Sequence, residues 1–236
     1  MTCVAGLPSC PVVDLDDVDL RRVRTTEVRA DQVFHRSIPD GFPLESLNPS
    51  PKQGRFSPVP GTAFAYLGGS HTVALLESVF HEVTPSPTSR VIYRDLHLRG
   101  RVVGTVVTDR NLRVIDLRDG ELERLDIDRA QLITTGREHY PCSTAVAARL
   151  LQLTPGHQPV QGIVWGSRVA EIARSGSELL GDLLHDPVSE ALVVYGDPAD
   201  SPLRPSGPPI HLLNPDGTWL PFVDEIAEQL DAVIET

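Results

Sequence analysis

The chain has 236 residues, enough for one sizeable core, and its 40% hydrophobic and 22% charged residues are an ordinary balance for a globular protein. With 32 acidic against 21 basic residues the formal net charge is -11, which argues against direct nucleic-acid binding, because that rests on clustered Lys and Arg neutralising phosphates. No apolar run approaches the roughly 20 residues that span a bilayer, and no basic segment followed by an apolar one marks the N-terminus for export, so a cytoplasmic protein with no membrane contact is expected.

Residues 1–30 mix acidic and basic groups without clear periodicity and read as a partly helical N-terminal extension. Core structure is expected to begin at the short strand Val33-Phe34-His35-Arg36. The following stretch, 37–58, is rich in Pro, Gly, Ser and Asn and reads as a long loop, the kind that is usually functional. Within residues 54–83 a Gly-Arg turn and a Pro-rich loop lead into an apolar strand ending at Tyr66, then a Gly68-Gly69 turn and a helix. Ser70 is placed to cap that helix, and Val73, Leu76, Phe80 and Val83 recur at helical spacing on one face. Glu77 falls on the same face, with Glu82 opposite. A carboxylate on a buried stripe is costly to desolvate unless something pairs with it.

Further on, 91–98 and 101–107 read as strands joined by a turn at Gly100, and 112–117 as a third. Residues 121–132 and 143–153 read as helices, the second capped by Ser143 or Thr144. A buried strand at 161–165 runs into Gly166-Ser167-Arg168 and a helical stretch, and 191–195 closes the set. Four prolines make 200–210 a linker, and 222–234 is expected to be one amphipathic helix seeking the core or a partner chain. The chain thus divides into an extension (1–30), a main domain (31–199), and a linker with a C-terminal helix (200–236).

Cys3, Cys10 and Cys142 are odd in number and lack metal-ligand spacing, so they read as thiols in a reducing compartment, and no metal is expected. There is no H-E-x-x-H pair, no G-x-S-x-G elbow, no P-loop and no G-x-G-x-x-G. Candidate chemistry gathers instead at strand ends and turns: Arg36, Arg55, Tyr66, Ser167 and Arg168, with Glu77 on its helix. Taken singly, each has an ordinary reading. Glu77 suits a helix edge, Arg36 and Arg55 surface ion pairs, Tyr66 a core aromatic, and Ser167 a cap.

Taken in order, these residues resemble the RES domain family, named for an Arg, a Glu and a Ser. The resemblance rests on Val33-Phe34-His35-Arg36, Gly54-Arg55-Phe56 with Pro60-Gly61, and Ala65-Tyr66-Leu67. It continues through Ala74-Leu75-Leu76-Glu77 and the segment from Gly162 through Trp165 to Ser167-Arg168. Two positions depart from the usual pattern: Ser37 where some members carry an aromatic, and Trp165 where Tyr is commoner. The resemblance implies an α+β fold, a compact single domain of small curved sheets and packed helices related to ADP-ribosyltransferases. It implies an enzyme that breaks the nicotinamide–ribose bond of NAD+, with water or phosphate as acceptor and no further cofactor. Several members are toxins held by a DNA-binding antitoxin of the Xre type. On that analogy Arg36, Glu77 and Ser167 are catalytic, and Arg55, Tyr66 and Arg168 bind substrate.

The chemistry suits the residue types. Breaking the bond builds positive charge at the ribose C1′, as in glycoside hydrolysis, and a fixed carboxylate stabilises it. Nicotinamide leaves neutral and needs no general acid. Transfer of ADP-ribose to a macromolecule and a non-catalytic nucleotide-binding module remain the alternatives, and the 222–234 face is open to an antitoxin or a second copy of the chain.

Overall fold

The computed structural model describes residues 6, 9–50, 54–80, 91–153, 158–167, 190–230 and 232–235. Its strands are β1 (Thr25–Val28), β2 (Val33–Pro39), β3 (Ala63–Gly68), β4 (Val91–Tyr93), β5 (Arg101–Thr108), β6 (Leu112–Leu117), β7 (Gly162–Gly166), β8 (Glu190–Gly196), β9 (Leu203–Pro205), β10 (Ile210–His211) and β11 (Val233–Glu235). The helices are α1 (His71–Leu76), α2 (Asp119–Arg124), α3 (Tyr140–Leu151) and α4 (Pro221–Gln229).

Among the described residues, nine strands form one mixed sheet in the order β1-β6-β7-β8-β3-β2-β5-β10, with β9 also on β5; β11 and β4 form a separate parallel pair. Chain connectivity forces this sheet to curl. β5 and β6 stand five strand spacings apart in the order, about 24 Å if flat. Yet only three residues join Thr108 to Leu112, a reach of roughly 14 Å from end to end. Curling brings Val28, Phe34, Val106, Leu112, Val114, Val164 and Val194 together as a core on the inner face. On the outer face α1, α3 and α4 pack with Ile115, Ile163 and Val193 in a second, larger core. The domain is α+β. Among the described residues, no helix is long and apolar enough to cross a membrane.

Several elements differ from the sequence expectation. The helix capped by Ser70, whose Oγ accepts from the Val73 N–H at 3.1 Å, ends at Leu76 and not near 83. There Ser78 Oγ donates back to the Ala74 carbonyl at 2.6 Å and the chain turns. Residues 81–83, with Glu82 and Val83, lie outside the described residues, as does the helical stretch expected after Ser167. The strand expected at 91–98 is β4 followed by a π-helical turn at Arg94–Leu98. The 121–132 helix is broken into α2 and a 3₁₀ turn at Arg129–Gln131, because Asp126 takes φ +59 and Asp128 caps the new turn. α3 starts at Tyr140 with Pro141 in its first turn, so neither Ser143 nor Thr144 caps it.

The two ends of the chain are more ordered than expected. Residues 25–28 of the N-terminal extension form β1, the sheet edge beside β6. The 200–210 linker contains β9 and begins β10, both lying along the outer edge of β5. The 222–234 helix stops at Gln229, and Val233 and Ile234 pair in parallel with β4 instead. Val223, Ile226, Ala227 and Leu230 bury the apolar face of α4 in the chain's own core.

Candidate functional site

β2 is paired with β5 along its whole length, and β3 with β8 along its whole length, but β2 and β3 meet at one position, His35 opposite Gly68. Beyond that pair the two strands diverge, and the seam opens into a cleft of about 400 Å³, within the range of ligand sites. Part of the 40–50 loop enters it, with Asn48 and Phe64 exchanging backbone hydrogen bonds at 2.7 and 3.1 Å. α1 sits at the closed end because Gly68 lets it approach; a Cβ there would run into the backbone at Ala74. Helix, seam and loop thus converge on one space.

Four of the six sequence-predicted residues line this cleft: Arg36, Arg55, Tyr66 and Glu77. Ser167 stands directly behind Glu77, its Oγ donating to Glu77 Oε1 at 2.6 Å. Glu77 is the C-cap of α1 and half-buried, whereas Ser167 follows β7 and is fully buried. The β7 end is held in turn by Arg129, whose Nη2 donates to the Gly166 carbonyl at 2.7 Å and which pairs with Asp119. Arg168 lies outside the described residues.

Tyr66 reaches across β3 so that its hydroxyl accepts from the Phe56 N–H at 2.9 Å and donates to Ser57 Oγ at 3.2 Å. Burial pushes this hydroxyl up to about 12, so it stays a neutral donor. Its ring meets Trp165 edge-on, with centroids 6.1 Å apart. Gly54 makes room for it, since a Cβ there would lie 2.8 Å from the Tyr66 oxygen.

The two arginines are mainly builders of the walls. Arg36 is buried, and its Nη1 donates to the Leu44 carbonyl at 2.7 Å and to that of Ser46, tying the 40–50 loop to β2. Desolvation brings it down to about 10, still cationic at neutral pH. Arg55 Nη1 donates to the Thr135 hydroxyl at 3.0 Å and carbonyl at 3.2 Å, and its guanidinium lies 5.2 Å from the centre of the Tyr140 ring. Neither is the exposed ion pair that a lone surface Arg would suggest.

Sequence reasoning missed Arg101, Arg137 and Tyr140, which also line the cleft. Arg101 opens β5, and among the described residues its Nε is buried with no hydrogen-bond partner; Ser37 Oγ, also lining the cleft, is in the same state. Buried donors normally find acceptors, and both of these residues line the cleft. Position beside the Gly100 turn was the available signal for Arg101. Tyr140, the first residue of α3, carried none.

A model of the RES domain matches residues 19–196. No curated protein matches the chain. Among solved structures, the chain is similar to one in the crystal structure of the M. tuberculosis MbcT–MbcA toxin–antitoxin complex. The TM-score is 0.50 and the identity 14%, with 81% of this chain and 88% of that one covered. At that identity the likeness is one of fold.

Proposed function

The chain belongs to the RES domain family, and from that premise we propose that it breaks the nicotinamide–ribose bond of NAD+ as the toxin of a toxin–antitoxin pair. The observation that carries the reading is the 2.6 Å hydrogen bond from Ser167 to Glu77 at the cleft wall. A carboxylate oriented by a buried hydroxyl is a fixed negative charge, suited to the cation that develops on the ribose as nicotinamide departs with the bonding electron pair. Tyr66, neutral and held by Phe56 and Ser57, offers a flat face for the nicotinamide end.

The donors on the opposite side favour phosphate over water as acceptor. Arg36, Ser37 and Arg101 set cationic and hydroxyl groups along β2 and β5, and Arg recognises phosphate by charge and paired hydrogen bonds. In that reaction the C1′–N bond breaks, a C1′–O–P bond forms, and the products are nicotinamide and ADP-ribose 1″-phosphate. The fold shared with a chain of a toxin–antitoxin complex supports a protein antitoxin as partner. By family resemblance it is of the Xre type and brings the DNA contact that an acidic chain lacks.

Incubating the purified protein with NAD+, with and without inorganic phosphate, tests the proposal. Phosphate-dependent release of nicotinamide with the 1″-phosphate product is expected. Label from NAD+ appearing on protein or nucleic acid would move the reading to ADP-ribosyl transfer, and no turnover in either condition would end it.

A further inference from the structure

The fold brings together three ligating side chains that the sequence keeps far apart. Cys10 lies against the start of α3, where His139 and Cys142 are three residues apart and share one side of the first turn. One ligating atom from each residue falls within 4.8 Å of the other two, and Cys10 Sγ is 3.9 Å from His139 Nδ1. In a tetrahedral zinc site with Zn–S near 2.3 Å and Zn–N near 2.1 Å, ligand atoms stand about 3.6 to 3.8 Å apart. The cluster is therefore nearly formed, its widest pair needing to close by about 1 Å at most.

Its surroundings suit a metal as well. Glu138 Oε1 lies 3.8 Å from His139 Nε2, beyond hydrogen-bond range but on the side of the ring away from Nδ1, the nitrogen that meets Cys10. His139 and Cys142 are buried while Cys10 is only partly so, which gives a dry site with one open approach.

We propose that Cys10, His139 and Cys142 bind one zinc ion, with water in the fourth position. Two thiolates and an imidazole are soft ligands that select zinc over magnesium or calcium. Each thiol passes its proton to solvent as the metal enters, and no electron is transferred. The ion would clasp the N-terminal segment to the helix whose neighbours build the cleft: Tyr140 lines it, and Ser143 Oγ donates to the Arg55 carbonyl. The site uses neither Glu77 nor Ser167, so the two proposals stand or fall independently.

Metal content of the full-length protein tests this directly. After expression with added zinc and exchange into metal-free buffer, elemental analysis is expected to find about one zinc per chain, lost in Cys10→Ser. Replacement by cobalt should give the intense sulfur-to-cobalt absorption of a thiolate site, absent from the same variant. Cys10 is only partly buried, so this variant is expected to fold, and its thermal melt verifies that. Wild-type protein holding no more zinc than Cys10→Ser, or a Cys10–Cys142 disulfide in unreduced peptide maps, would overturn the proposal.

Discussion

Replacing Ser167 by Ala removes one hydroxyl and asks how far Glu77 depends on it. The 2.6 Å separation is in the range of an O–H donating to an ionised oxygen, and Ser167 has 0% exposure, so water has no route to take over. A hydrogen bond to a charged group contributes about 1.5–3 kcal/mol. At 1.36 kcal/mol per decade that becomes a roughly 10- to 150-fold fall in kcat/KM. Glu77→Gln keeps the shape and deletes the charge, and is expected to cost more, about 10² to 10³ in kcat. Because Ser167 is argued to act through the carboxylate, the double variant should be within about twofold of Glu77→Gln alone. The assay is the initial rate of nicotinamide release, with thermal melts showing that each variant is folded. Ser167→Ala within about threefold of wild type, or losses that multiply in the double variant, would refute the reasoning.

Three further outcomes follow from the same geometry. The Tyr66 hydroxyl is pushed up to about 12 from an unfolded value near 10, so the fold favours its neutral form; that stabilisation is complete below about pH 10 and is lost as pH rises toward 12. Melts between about pH 8 and 11 should show wild type losing stability faster than Tyr66→Phe above pH 10, and parallel curves would contradict the assignment. Arg101→Met removes a buried guanidinium whose Nε has no hydrogen-bond partner among the described residues, so the melting temperature should hold or rise while KM for phosphate or NAD+ rises about tenfold; a lowered melting temperature with unchanged KM would make Arg101 merely structural. Ending the chain at residue 199 discards Leu203, Leu212, Val223, Ile226 and Leu230, all buried, at a cost on the order of 10 kcal/mol, comparable with the stability of a whole domain. Circular dichroism of the truncated chain should show no cooperative melt; a sharp one would mean that the tail is dispensable.

What could be read in advance was local. The Ser70 cap, the strand ending near Tyr66 and the Gly100 turn each follow from residues within a few positions, and all appear in the structure. Glu77 was singled out by its place on an apolar stripe, yet it sits at the helix end, where Ser78 turns the chain away. What escaped depends on pairing between distant segments. The seam exists because β2 turns to β5 and β3 to β8, a choice that neither strand's own pattern encodes. The partners of Arg55 at Leu132 and Thr135 are of the same kind, as is the encounter of Cys10 with His139. The prolines of 200–210 misled for another reason. They forbid a central strand but not an edge one, and β9 lies along the edge of β5, where a missing N–H costs least.

The wide separation in sequence of Glu77 and Ser167 also bears on the timing of synthesis. A ribosome adds residues in order, and 90 positions separate the carboxylate from the hydroxyl that orients it. β3, one lip of the cleft, waits longer still, since Ala63 pairs with Gly196. Such distant pairings form late, after the entropy of closing long loops has been met. A nascent chain therefore carries α1 and its carboxylate long before it carries a working site. For a polypeptide proposed to consume its own cell's NAD+, the order of strands amounts to a delay: the cleft cannot form until residue 196 has been made and paired.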